Sequence, residues 1–172
     1  TVFYLRWWGA TPTAGGDTWA YQAVAVDLRD GSLSALHDRV LGYPVLLLVT
    51  GSTETPSALL LGVQIVLYLA TCWMILALFQ RLDPPRKWSI AVLALLMSPP
   101  LFEKAFDAQT ETLSGFLVTA AVTSFVVWLE RHTLRWTAIS GAALACAALV
   151  HPVFQGLAAV TAVGIAIWSL KK

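Results

Sequence analysis

The stretch "SALLLGVQIVLYLATCWMILALF", residues 57–79, carries no charged side chain. An α-helix rises 1.5 Å per residue, so a run of this length reaches about 34 Å. That is enough to cross a hydrocarbon layer about 30 Å thick. Its most polar member, Gln64, reads as a side chain that hydrogen-bonds between helices, with a substrate contact as the alternative.

The apolar pattern recurs downstream. Residues 112–129 form a second candidate span. Residues 88–101 and 136–150 are shorter and would cross only with help from their flanks or local thinning of the bilayer. Residues 153–170 complete the set. Of 172 residues, 58% are hydrophobic and 12% charged, and the mean hydropathy is +0.70, far from the balance of a soluble domain. The expected fold is all-α, a polytopic transmembrane helical protein with about five membrane helices over residues 57–170. A net charge of +1 gives no electrostatic reason to expect a nucleic-acid partner. Cys72 and Cys146 lie inside apolar runs, where a thiol behaves as a small hydrophobe. Residues 1–8 read as the end of a truncated helix and residues 9–56 as a first outer loop. The whole chain is then a single transmembrane module, expected to be incomplete.

Charge orients the helices. Arg81, Arg86, Lys87, Arg131, Arg135, Lys171 and Lys172 are seven of the eleven basic residues, and they fall in alternate loops with only Asp83 and Glu130 as acids. The positive-inside rule places these loops in the cytoplasm. The opposite face then holds Asp17, Asp27, Asp30, Asp38, Glu54, Glu103, Asp107 and Glu111, eight of the ten acids. Many of these are ordinary solvated charges, but chemistry that needs a carboxylate must take place on this side.

The first outer loop contains "GGDTWAYQAVAVDLRDG", residues 15–31. Asp17 is placed to cap a helix whose apolar residues Ala20, Ala23, Val24 and Leu28 recur at helical spacing. Such a helix is expected to lie in the membrane interface. Asp17 and Tyr21, four apart, share a face. They read either as a cap and an interfacial anchor, or as a general base with an aromatic neighbour. "RVLGYP", residues 39–44, is either a turn or a phosphate-binding arginine followed by Tyr43, which could stack on a sugar or isoprenoid. "GYPVLLLV" is too short to span. In "EKAFDAQTET", Glu103, Asp107 and Glu111 are spaced by four. Glu111 at the start of an apolar helix is either a favourable charge at the helix dipole or a functional acid. Two such acids facing Asp17 would suit a divalent metal, although the spacing does not require one. His151 before Pro152 is a polar helix end or a ligand contact.

The order of Asp17, Tyr21 and Ala25, then Arg39 with Gly42-Tyr43-Pro44, then Gln64, then Thr110 to Leu113, then His151-Pro152 resembles the N-terminal half of bacterial membrane glycosyltransferases. These are similar to dolichyl-phosphate-mannose protein mannosyltransferases and have the GT-C fold. The resemblance covers nearly the whole chain. It implies a glycosyltransferase of the bacterial cytoplasmic membrane, working at its extracytoplasmic face. Sugar would pass from a polyprenyl-phosphate donor to an acceptor glycan, lipid or protein, with Asp17 as the catalytic base. Tyr21, Arg39, Tyr43, Glu103, Asp107, Glu111 and His151 would bind substrate. A histidine stands at 151 where the family pattern has an arginine, which makes Arg39 the principal phosphate partner. The alternative is a membrane protein that binds or transports lipid-linked sugars without chemistry.

Overall fold

The structure is a computed structural model, and it describes residues 11–32 and 39–157. The expected helix end at residues 1–8, Asp38 and most of the expected last span lie outside the described residues. Among those described, the architecture is all-helical, with an isolated parallel bridge between Thr13 and Asp107. In chain order the helices are α1 (Thr18–Arg29), α2 (Gly42–Val49), α3 (Ala58–Gln80), α4 (Arg86–Leu96), α5 (Pro99–Glu103), α6 (Glu111–Arg131) and α7 (Leu134–Val150). A 3-10 turn, Lys104–Phe106, follows α5.

Helix α3 begins where Ser57 accepts a hydrogen bond from the Leu60 amide at 3.1 Å, satisfying one of the free N–H groups of a first turn. The Ser57 hydroxyl lies 2.8 Å from that of buried Ser52 and 2.7 Å from the Thr50 carbonyl, so this knot ties the end of α2 to the start of α3. Helices α3 and α6 are long and apolar enough to cross a membrane. Only 22% and 28% of their apolar windows are buried inside the protein, with Val66 65% and Trp73 71% exposed. A core helix of a soluble protein would cover such surface.

Helices α6 and α7 form an antiparallel hairpin. Its turn is set by His132 in the left-handed conformation at φ 50°. Ala121 and Ala143 let the two helices approach closely, and Ser140 donates to the Ala121 carbonyl at 2.9 Å across them. Helix α3 runs alongside α6 in the same direction. Leu61 packs on Ala105 and Phe106 near one end, and Arg81 pairs with Glu130 at the other. The start of α3, the start of α6 and the end of α7 therefore lie together, away from Arg81, Arg131 and Arg135.

Three expectations need correction. The apolar run 88–101 is not one span: α4 stops at Leu96 and a new helix starts at Pro99. The two prolines lack amide hydrogens, and the first disfavours helical geometry at Ser98. Helix α1 buries Thr18, Tyr21, Val24 and Ala25 and leaves Ala23 exposed, because Tyr21 and Ala25, four apart, set the face that packs on Tyr43 and Leu47. Gly42-Tyr43-Pro44 is the first turn of α2 and not an isolated turn. Proline is tolerated there because its missing N–H would have had no helical partner.

Gly42 explains how α2 is placed. A Cβ on Gly42 would lie 2.7 Å from the Leu149 carbonyl oxygen and 2.7 Å from Val150 Cγ2. The backbone of α2 thus rests against the last turn of α7.

Candidate functional site

The acid-rich end of the bundle is organised by the segment from Lys104 to Thr110. Thr13 binds this segment on both sides: its amide donates to the Phe106 carbonyl at 2.8 Å, and its carbonyl accepts from the Ala108 amide at 2.9 Å. Its hydroxyl donates to Asp107 Oδ1 at 2.8 Å, while Lys104 Nζ lies 3.3 Å from Asp107 Oδ2. From inside the bundle, fully buried Gln64 donates its Nε2 to the Asp107 carbonyl at 2.7 Å. The Thr18 hydroxyl sits 2.7 Å from the Gly15 carbonyl and 2.9 Å from that of Ala108. Gly16 then turns the chain at φ +50°, a conformation that glycine adopts without steric cost, and this delivers Asp17.

Asp17 occupies the N-cap position of α1, but its side chain makes no capping bond. Its Oδ1 instead lies 2.9 Å from Arg39 Nη2. The Arg39 guanidinium rests over the Tyr21 ring, 5.4 Å from the centroid, within reach of a cation–π attraction. Tyr21 meets Tyr43 edge to face at 5.4 Å and 79°, a favoured arrangement of aromatic rings. Asp17, Arg39, Tyr21 and Tyr43 therefore form one column from solvent to core.

Tyr43 is fully buried, and among the described residues its hydroxyl has no hydrogen-bond partner. Burial, and next the nearby carboxylate of Glu111, push its ionisation well above the ordinary tyrosine range, so it stays neutral. Arg39 Nε is likewise buried without a partner among the described residues.

Beside this column is a cavity of about 310 Å³, lined by Gly16, Asp17, Tyr21, Gln109, Thr110, Glu111 and His151. Its size suits a small-molecule group. Glu111 begins α6, where the helix dipole favours a negative charge. The Gln109 amide, oriented so that its nitrogen faces this carboxylate, donates to the two Glu111 oxygens at 3.0 and 3.3 Å. His151 follows the last residue of α7, and its Nδ1 accepts from the Val153 amide at 3.4 Å. In the neutral ring this leaves Nε2 as the donor.

Of the residues singled out in the sequence, Asp17, Tyr21, Glu111 and His151 line one cavity, and Arg39 is held against two of them. Tyr43 supports Tyr21 from behind. With its ring covered it cannot stack on a sugar or an isoprenoid, contrary to expectation. Asp107 is a structural staple through Thr13 and Lys104, and exposed Glu103 sits on α5; neither lines the cavity. The acids expected to face Asp17 are therefore reduced to Glu111, and among the described residues no three potential ligands converge as a metal site would need. Sequence reasoning missed Gln109 and Gly16. The Gly-Gly pair before Asp17 was the available signal for Gly16, whereas a glutamine in a polar loop carries none. Comparison of the chain with protein-family models, curated proteins and solved structures gives no match.

The site can act in two ways. Asp17 is exposed enough to meet a hydroxyl, and the guanidinium beside it offers further N–H donors to an anion. A carboxylate in the cavity wall with a cation paired to it provides a proton acceptor and a place for a negatively charged leaving group.

Proposed function

We propose that this protein is a GT-C-like membrane glycosyltransferase that moves a sugar from a polyprenyl-phosphate donor to an acceptor hydroxyl. The reading places it in the bacterial cytoplasmic membrane, with the cavity facing outward and α1 lying in the interface. The observation that carries it is the cavity itself. It lies at the acid-rich end of two helices long enough to cross a membrane, with Asp17 in its wall and Arg39 paired to that carboxylate at 2.9 Å.

In this mechanism Asp17 takes the proton of the acceptor hydroxyl as that oxygen attacks the anomeric carbon. The bond from that carbon to the phosphate oxygen breaks, and the electron pair leaves with the lipid phosphate. Arg39 stabilises the charge that develops there, and His151 is the second donor, through Nε2. The prenyl chain lies along the apolar outer surfaces of the long helices.

The experiment is to reconstitute the full chain in liposomes with radiolabelled polyprenyl-phosphate sugars and a membrane extract as acceptor source. Label should move from the donor to a new species. A donor that binds without any transfer would favour a carrier of lipid-linked sugars and defeat the catalytic reading.

A further inference from the structure

Gln109 lies between the two carboxylates of the cavity and takes no part in the proton transfer or phosphate binding described above. Its backbone is anchored through its amide and through its neighbour. Its amide donates to the Asp107 carbonyl at 2.8 Å, which also accepts from Gln64. The neighbouring Ala108 is tied to Thr13 through its amide and to Thr18 through its carbonyl. The side chain is positioned as well. One end of the amide spans the Glu111 oxygens, and the other lies over the Gly15–Gly16 turn, where a Cβ on Gly16 would come within 3.2 Å of it. A rigid frame of this kind is what a selective contact requires.

The chemistry of this wall is distinct from that of Arg39. A carboxylate has about four lone-pair sites, so Glu111 retains acceptors after Gln109 takes its share. The amide carbonyl adds another acceptor at a fixed distance. The phosphodiester of such a donor has no hydrogens to offer this wall, and any phosphate is repelled by the Glu111 charge. A hydroxyl, which both donates and accepts, matches it, and a pair of hydroxyls on adjacent carbons matches it twice. We infer that Gln109, together with Glu111, reads hydroxyl groups of the transferred sugar and so determines which sugar the site accepts. This rests on the reading of the cavity as a site for a polyprenyl-phosphate sugar.

The test measures binding to the full chain in nanodiscs. The probes are polyprenyl phosphate and its glucose, mannose and galactose esters; the proteins are wild type, Gln109→Ala and Gln109→Glu. The wild type should bind at least one ester about fivefold or more tightly than polyprenyl phosphate, the range expected for one or two net hydrogen bonds. Gln109→Ala should abolish that preference and leave the affinity for polyprenyl phosphate unchanged, which also shows that the site is folded. Gln109→Glu, similar in shape but setting a like charge against Glu111, should abolish it too. Equal wild-type affinity for the phosphate and all three esters would overturn the inference, as would a preference that survives Gln109→Ala or a parallel loss of polyprenyl phosphate binding in both variants. The lipid-phosphate reading would survive those results. Failure of the wild type to bind any of the four lipids would overturn both.

Discussion

Replacing Gly42 with alanine should destabilise the protein, although alanine is the better helix former. A Cβ at this position meets the Leu149 carbonyl oxygen at 2.7 Å and its carbon at 2.8 Å, well inside ordinary contact at 3.4 Å, and both atoms belong to backbone. Neither can rotate away, so α2 or the end of α7 must shift by roughly half an ångström or more. Overpacking of this kind costs about 1–3 kcal/mol. The gain in helix propensity returns at most about 1 kcal/mol, and less near a helix start. The net loss is about 1–2 kcal/mol, or roughly 2–8 °C in melting temperature for a chain of this size. The internal control is Gly62 on α3, where an added Cβ meets nothing within 4 Å. Gly62→Ala should leave the melting temperature unchanged or raise it by a few degrees. The assay is tryptophan-fluorescence melting of the two variants and wild type in the same nanodiscs. A Gly42→Ala protein as stable as wild type would refute the close seating of α2 on α7, and with it the placement of Tyr43 and Arg39.

Tyr43→Phe removes a buried hydroxyl without a partner among the described residues and should leave stability unchanged or improve it by up to about 1 kcal/mol; a clear loss would reveal a partner for that hydroxyl. Because folding raises the ionisation of Tyr43 above its ordinary value of 10.0, its contribution is fully present below that pH and is lost as pH rises above it. The slope is at most about 1.4 kcal/mol per unit, and chemical denaturation between pH 9 and 11 should show a shallower decline in the Phe variant. Gln64→Leu removes the interior donor to the Asp107 carbonyl, which keeps the Gln109 amide, and should cost about 0.5–1.5 kcal/mol by the same melting assay; an unchanged melting temperature would show that this bond does not hold the outer segment. Arg39→Ala breaks a pair whose arginine is half-buried and whose aspartate is exposed, so stability should change by about 1 kcal/mol or less. Polyprenyl phosphate affinity should fall about tenfold or more, and Arg39→Lys should not restore it, because an ammonium lacks the planar face that rests on Tyr21. Unaltered affinity in the alanine variant would remove Arg39 from the site.

The parts of the fold that were legible in the sequence are those that depend on local pattern. An uncharged run such as residues 57–79 has few alternatives to a long helix, and the segregation of acids from bases anticipated that Asp17, Glu111 and His151 would share one end of the bundle. What depends on long-range seating was not legible. Asp17 was expected to cap its helix, yet its carboxylate turns to Arg39 because α2 docks on α7 through Gly42, a contact between residues more than a hundred positions apart. Asp107 looked like a third site acid, but Thr13, its partner, lies 94 positions away, and pairing with it makes the aspartate structural. The break at Ser98-Pro99-Pro100 was present in the sequence and was outweighed by the hydropathy around it. Gln109 became visible only when the turn carrying Asp17 and the start of α6 were brought together.

In the proposed mechanism Asp17 removes the acceptor proton in a transfer from a polyprenyl-phosphate sugar. The most direct measurement is single-turnover transfer from a pre-bound labelled donor by wild type and Asp17→Asn, with donor affinity determined on the same samples. Asparagine keeps the shape but cannot accept the proton, and loss of a general base typically costs about 10²–10⁴ in rate. The account predicts a fall of that size with donor affinity changed by less than about threefold, since the partner charge at Arg39 is only one of several donor contacts. A variant that transfers sugar at the wild-type rate would contradict it.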